Sequence, residues 1–266
     1  LSTEHELCGI IQTEVFHVKP DFEEVEKIRT QASDWGVEVS LEDASLLVKY
    51  AELLDTYKEA NVIGTHGLAE IVENHIIDSL GCLLFDPLRD ARGVVDVGSG
   101  GGLPGIPLGV LLAEAEVRLI EATKKKTRFL AVAAEELDAS NIRISNGRVE
   151  EVGRSEKFRG RYDIATARAL ASLDVLVEYC LPLVKVGGYV VAMKGRLEDG
   201  EFERGRIAAK LLGADVAEVT GVPRISGCEQ KDRRLVVFEK LSPTPGGYPR
   251  RTGIPSKRPL GTSGNR

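Results

Sequence analysis

The sequence predicts a doubly wound α/β fold: a mostly parallel seven-stranded sheet whose last strand is antiparallel, plus an N-terminal helical cap. Three observations carry this. From Gly93 onward, short β-branched apolar runs alternate with helix-compatible segments, the pattern of a parallel sheet covered on both faces. The first run, Val94 to Val97, broken only by Asp96, opens into a loop with glycines at 98, 100, 101, 102 and 105, then into an apolar helical stretch. The last two runs are joined by a loop-like connection over 221–233, containing Gly221, Pro223 and Gly227, with no crossover helix, so they form a hairpin.

Taken in order, residues 1–20 show little periodicity and are expected as a poorly ordered extension. Helical spacing runs from Phe22 to Trp35 and again from Leu41 to Ala60, where Leu46, Leu47, Tyr50, Leu53, Leu54 and Tyr57 recur three and four apart. Ser40, with Asp43 three residues on, marks a helix start. A third helical segment is expected from Ala69 to Leu83, carrying His75, Asp78 and Ser79; together these make a cap over 21–90. Strands are predicted at 94–97, 117–121, 142–145, 162–167, 188–194, 214–220 and 234–240, and helices at 106–114, 124–137, 172–183 and 201–212. Pro107 fits only a first helical turn, and Gly187-Gly188 is read as a break just before the fifth strand. The sheet domain spans 91–241 and leaves 242–266 as a tail.

Composition bounds the function classes. No apolar run approaches the ~20 residues that span a bilayer, and LSTEHELCGI lacks the basic and apolar regions of a secretory signal, so a cytoplasmic protein is expected. Cys8, Cys82, Cys180 and Cys228 are far apart, and no Cys/His spacing suits a metal. The net charge of −6 is unevenly spread: residues 1–60 hold 14 acidic and 5 basic side chains, whereas 242–266 hold Arg250, Arg251, Lys257, Arg258 and Arg266 with no acid. A local basic arm is what phosphate contacts need, and overall acidity does not exclude it.

The glycine loop points to a nucleoside-containing cofactor, approached through backbone N–H groups at a helix N-terminus. Gly100-x-Gly102-x-x-Gly105 matches a dinucleotide fingerprint, and Glu121 follows at a distance suited to a ribose hydroxyl. Two details shift the reading. Asp96 stands in the strand end, and Pro104 removes an N–H that a pyrophosphate would use. S-adenosylmethionine has no phosphate but has an ammonium and a ribose diol, which carboxylates at the ends of the first and second strands suit. A reversed last strand is also the arrangement of class I methyltransferases, whereas Rossmann dinucleotide sheets are usually all parallel. Ligands in such sheets bind outside the carboxyl ends of the strands. The residues there are Asp96, Gly98, Gly100, Gly102 and Leu103; Glu121, Ala122 and Thr123; Arg148, Val149 and Glu150; Arg168; and Lys194.

These residues carry a family resemblance. Asp96-Val-Gly-Ser-Gly-Gly-Gly-Leu-Pro-Gly-Ile-Pro-Leu108 resembles, almost letter for letter, the glycine motif of the RsmG (glucose-inhibited division protein B) methyltransferases. Lys125-Lys-Thr-Arg-Phe-Leu130, Arg148-Val-Glu-Glu151, Arg168-Ala169, Ala192-Met-Lys-Gly195, His75-Ile-Ile-Asp-Ser-Leu80 and the basic ending Tyr248 to Leu260 are similar to further motifs of that family. Departures occur at Val62-Ile63, at Asn74 before His75, and at Ala167 before Arg168. The resemblance implies transfer of a methyl group from S-adenosylmethionine to guanine N7 in the 530 loop of 16S ribosomal RNA, with naked RNA or the 30S subunit as partner and no membrane or metal.

Guanine N7 carries an in-plane lone pair, so no proton leaves before attack. The sequence offers no Ser/His/Asp or Cys/His constellation to act as base, and the task left is orientation. No catalytic residue is assigned on this reading; Arg168 and Lys194 are candidates for holding phosphates or a base edge. His75, Lys194, Arg250, Arg251, Lys257 and Arg258 are the candidate RNA contacts. The basic arm is expected to order on phosphate. Removing 245–266 is therefore expected to weaken RNA binding and its salt dependence, leaving cofactor affinity nearly unchanged. A methyltransferase acting on a protein or small molecule, a nicotinamide oxidoreductase and a silent RNA-binding module are the competing classes.

Overall fold

The computed structural model describes residues 21–223 and 232–262, so the expectation for 1–20 and part of that for 221–233 fall outside the described residues. The cap opens with α1 (Phe22–Asp34), where the Asp21 side chain accepts the Glu23 amide at 3.1 Å. In α2 (Leu41–Thr56) the Ser40 hydroxyl accepts the Asp43 amide at 3.0 Å and donates to the Asp43 carboxylate at 2.7 Å. This is the start signal legible in the sequence.

The third cap segment is not the single helix expected over 69–83. It divides into α3 (Leu68–Ile71), a π-helical turn (Val72–Ile77), α4 (Asp78–Leu80) and a 3-10 turn (Gly81–Leu84). The cause is competition for carbonyls. Arg168 donates to the carbonyl oxygens of Asn74 at 3.0 Å and His75 at 3.2 Å, which a continuous helix would give to amides four residues on.

The sheet comprises β1 (Gly93–Val97), β2 (Glu116–Glu121), β3 (Ile142–Asn146), β4 (Tyr162–Arg168), β5 (Val184–Lys194), β6 (Ala214–Gly221) and β7 (Arg234–Lys240), in the order β3-β2-β1-β4-β5-β7-β6. β1 to β5 pair in parallel, and β7 runs antiparallel to both β5 and β6. The expected seven strands and reversed last strand are therefore present. At strand five the expectation is corrected. Pairing begins at Val184 opposite Tyr162 and resumes at Tyr189 opposite Ile164 after a register shift, so Gly187-Gly188 lies inside β5. A Cβ at Gly188 would stand 2.3 Å from the Asp163 carbonyl oxygen, so this bulge requires glycine.

The connecting helices are α5 (Gly105–Leu111), α6 (Lys124–Glu136), α7 (Val149–Val152), α8 (Leu173–Cys180) and α9 (Glu201–Leu211); α10 (Ile254–Lys257) follows the sheet. Alternation along β1 sends Val94 into the core shared with the cap, and Val95 and Val97 into the opposite core against α8 and α9. The first core runs unbroken from Val25, Ile28 and Leu47 to Leu119 and Phe129, so cap and sheet share one apolar interior. No helix among the described residues is long and apolar enough to cross a membrane.

Residues 242–262, which include the basic stretch expected to order on phosphate, are packed against the sheet domain. The reason is a buried ion pair. Glu178, fully buried on α8, accepts the Arg250 amide at 2.8 Å, its Nε at 2.9 Å and its Nη2 at 2.6 Å. Arg159 adds donors to the carbonyls of Tyr248 at 2.6 Å and Thr244 at 2.7 Å, and Leu260 buries itself in the second core.

Candidate cofactor and acceptor site

The glycine loop lies at the carboxyl end of β1, beside β4, where strand order reverses. Gly98, Gly100 and Gly102 all have positive φ, at 71°, 58° and 93°. At Gly105 the need is steric: a Cβ would meet Leu119 Cδ2 at 2.2 Å and the Asp96 carboxylate at 2.8 Å.

The loop amides are not bare, as the sequence suggested. Gly98 and Ser99 donate to the Ile120 carbonyl at 2.9 and 3.1 Å, and Gly102 and Leu103 to the Ser99 carbonyl at 2.7 and 3.2 Å. Glu121 Oε2 accepts the Gly100 amide at 3.0 Å, and Asp96 Oδ2 accepts the Gly105 amide at 3.3 Å. A pyrophosphate would find these donors occupied and two carboxylates beneath them, while a cationic donor with a ribose diol finds the carboxylates useful. This geometry fits S-adenosylmethionine and not a dinucleotide. The helix behind the loop, α5, gives its first amide to Asp96 and supplies no anion site.

Asp96 itself is fully buried, with Thr166 Oγ1 donating to it at 3.1 Å. It therefore lies beneath the loop, with the Gly105 amide and the Thr166 hydroxyl on its two oxygens. Burial raises its carboxyl to about 6, against the hydrogen bonds that favour the anion. Glu121 is also nearly buried and spends Oε1 on the Thr123 amide at 2.6 Å. The exposed Ala122 and Thr123 flank it, and Asn146 ties β3 to the Glu121 carbonyl at 3.0 Å. That tie brings Arg148, Val149 and Glu150 to the same rim; Arg148 is exposed and Glu150 is buried.

Arg168 and Lys194, read as phosphate or base contacts, are both internal struts. Arg168 Nε pairs with Asp78 at 3.1 Å, and its terminal nitrogens donate to the Asn74 and His75 carbonyls, to Ser79 Oγ at 3.3 Å and to His75 Nδ1 at 2.8 Å. Because a guanidinium only donates, His75 Nδ1 accepts, and the Nε2 proton goes to Thr65 Oγ1 at 2.9 Å. Burial lowers the Arg168 pKa, with Asp78 opposing the shift. Lys194 pairs with buried Glu201 at 2.7 Å and donates to the Ala171 carbonyl at 3.0 Å. Arg250 is likewise consumed by Glu178, whereas Arg251, Lys257 and Arg258 remain exposed.

These struts leave a cationic cleft that sequence reasoning missed. A cavity of about 220 Å³ opens at the carboxyl ends of β4 and β5, lined by Arg168, Lys194, Arg196, Arg233 and Arg234, with Asp78 as its acid. Asp78 bridges Arg168 to Arg233, whose Nε it accepts at 2.8 Å. Between this cleft and the glycine loop lies Ala169, a non-glycine residue at φ 50°, followed by Leu170, whose side chain packs on Gly98. Such a left-handed alanine costs ~1 kcal/mol and is held here by Arg168 on one side and the Lys194–Ala171 bond on the other. Tyr50 was also missed. From the cap its hydroxyl donates to the Gly101 carbonyl, and burial holds its pKa well above the ordinary range, so it stays a donor. Only its place on the buried face of α2 was legible beforehand. Among the described residues, no group of three His, Cys, Asp or Glu side chains could hold a metal ion.

A family model described as GidB, rRNA small subunit methyltransferase G, matches residues 43–234. A ribosomal RNA small subunit methyltransferase G of Rubrobacter xylanophilus is 53% identical over 92% of this chain and 94% of its own length. One of the same name from Roseiflexus castenholzii is 41% identical over 86% of this chain and 97% of its own. The family model spans the loop, the rim and the cleft described above, and both relatives match most of the chain, so the chain belongs to the rRNA small subunit methyltransferase G family.

Proposed function

We propose that this chain transfers the methyl group of S-adenosylmethionine to N7 of a guanine in the 530 loop of 16S ribosomal RNA, in the cytoplasm, acting on free rRNA or the 30S subunit. The observation that carries the acceptor assignment is the cationic cleft lined by Arg196, Arg233 and Arg234, separated from the donor loop only by Ala169 and Leu170. A polyanion that presents a base at this cleft brings its ring nitrogen to the rim of the donor loop.

The cofactor, when bound, supplies an electrophilic methyl group on a cationic sulfur. The glycine loop, Glu121 and the turn at Arg148, Val149 and Glu150 would hold it, with Asp96 maintaining the loop from below. No residue need remove a proton, because N7 attacks with a lone pair; the residues' task is to fix the line of approach. Asp78 does this for the acceptor side by fixing the Arg233 guanidinium at its Nε, with the remaining nitrogens at the cleft. His75 stands one layer back, orienting Arg168, while Arg251, Lys257 and Arg258 extend the positive surface outward.

The test is incubation with methyl-labelled S-adenosylmethionine and either 30S subunits or stripped 16S RNA from a strain lacking the enzyme. Label recovered as N7-methylguanine in one of them is the expected result; label only in protein or small molecules overturns the assignment. Arg196→Ala with Arg234→Ala is expected to raise the KM for RNA about tenfold or more and to flatten its salt dependence.

A further inference from the structure

The C-terminal segment reaches the cofactor side of the sheet from behind. Gly253 donates its amide to the buried Glu150 carboxylate at 2.9 Å, and Thr252 Oγ1 reaches Glu151 at 3.4 Å. Arg154 Nε donates to the Pro249 carbonyl at 2.7 Å, and a Cβ at Gly153 would stand 3.1 Å from the Pro249 ring. So Glu150 and Glu151 of α7, with Gly153 and Arg154 after it, lie against residues 249–253. On its other side the same turn is tied to β2, through the Gly147 amide on the Glu121 carbonyl at 3.1 Å and through Asn146. The segment is anchored by the Arg250–Glu178 pair, in which a fully buried carboxylate takes three donors from one residue. Tyr179 closes the far end, its hydroxyl 2.8 Å from Ser256 Oγ.

We propose that residues 249–253 are a positioning strap for the cofactor: they fix the Arg148–Val152 turn at the spacing the nucleoside end requires. The proposal rests on the reading that Arg148, Val149 and Glu150 flank the cofactor. It divides the basic tail into two faces. The inward face, Arg250 and Gly253, acts on the cofactor, whereas the outward face, Arg251, Lys257 and Arg258, acts on RNA phosphate. It also reverses the sequence-based expectation that loss of the tail leaves cofactor affinity nearly unchanged.

The experiment titrates S-adenosylmethionine calorimetrically into the full chain and its variants, and measures kcat with saturating donor. Arg250→Met is expected to raise the Kd for the cofactor about tenfold, and Gly253→Ala, which strains the left-handed residue whose amide meets Glu150, about threefold. In both, kcat at saturating donor and the KM for RNA should stay near wild type, which general destabilisation would not spare. Arg251→Ala, Lys257→Ala and Arg258→Ala together should leave cofactor Kd within about twofold while raising the KM for RNA. Val149→Asp reports on the underlying site. If it weakens cofactor binding while folded Arg250→Met does not, the strap is overturned and the site stands. Wild-type affinity in Val149→Asp overturns the site reading itself. Should Arg250→Met fail to fold, Gly253→Ala decides: unchanged affinity overturns the strap. An equal loss in the outward triple variant overturns it too, because charge and not the inward bonds would then be responsible.

Discussion

The glycine loop and the cationic cleft, the proposed donor and acceptor halves of the site, sit a few residues apart and are built in opposite ways. The donor half is backbone: a glycine loop whose amides are satisfied by the Ile120 and Ser99 carbonyls and by two carboxylates from neighbouring strand ends. Its side chains act from below. The acceptor half is side chain: arginines and a lysine from β4, β5, β7 and the adjoining loops, sorted by Asp78, Glu201 and the cap into cations that are spent and cations that face the cleft. The difference teaches that a strand-end cation in this fold is first a strut. Its availability to a substrate is decided by whether a buried carboxylate has already claimed it.

The sharpest way to break that comparison is Arg168→Met. If Arg168 is a strut, the change leaves Asp78 with one partner fewer and strips the π-helical turn of its clamp, costing about 3–5 kcal/mol of folding stability. Urea unfolding checks it, and Arg168→Lys should recover little because one ammonium cannot reach the same set of acceptors. A cost below ~1 kcal/mol, with RNA binding lost, would return Arg168 to the substrate.

A second test uses pH on the donor side. Burial raises the Asp96 carboxyl from 3.8 to about 6, so the folded state holds this proton more tightly than the unfolded chain does. Folding therefore takes up a proton between about pH 4 and 6, and this contribution to stability is lost as pH rises through that window. The stability difference between wild type and Asp96→Asn, measured by urea unfolding, should fall by about 2–3 kcal/mol between pH 4 and 7. A difference that rises over that range would mean a carboxylate held as an anion by a cation, not one buried under a loop.

The smallest effect expected is at Gly105→Ala, whose methyl group would enter the space of Leu119 and Asp96. It should cost about 1–3 kcal/mol and weaken cofactor binding, while RNA affinity measured without cofactor stays unchanged. Equal loss of both would show that the two halves are not separable.

Much of this molecule is local, and what is local was legible. The strands of the sheet, the Ser40–Asp43 start of α2 and the left-handed glycines follow from side-chain period, capping chemistry and φ, which depend on neighbours in the chain. Even the antiparallel end of the sheet followed from the missing crossover helix. The π-helical turn was not legible, because its cause, Arg168, lies more than ninety residues away in sequence. Nor was the bulge that places Gly187-Gly188 inside β5, which depends on pairing with β4.

By itself, then, the sequence determined the strand-loop-helix cradle and the kind of donor it suits, since glycine conformation and a carboxylate at each strand end are written in adjacent residues. The tertiary structure alone decided which charges remain at the cleft. Arg168, Lys194 and Arg250 read as free cations in the chain, but folding brings Asp78, Glu201 and Glu178 against them. A buried carboxylate without a partner is too costly to leave, so those three are consumed, and Arg196, Arg233 and Arg234 line the cleft.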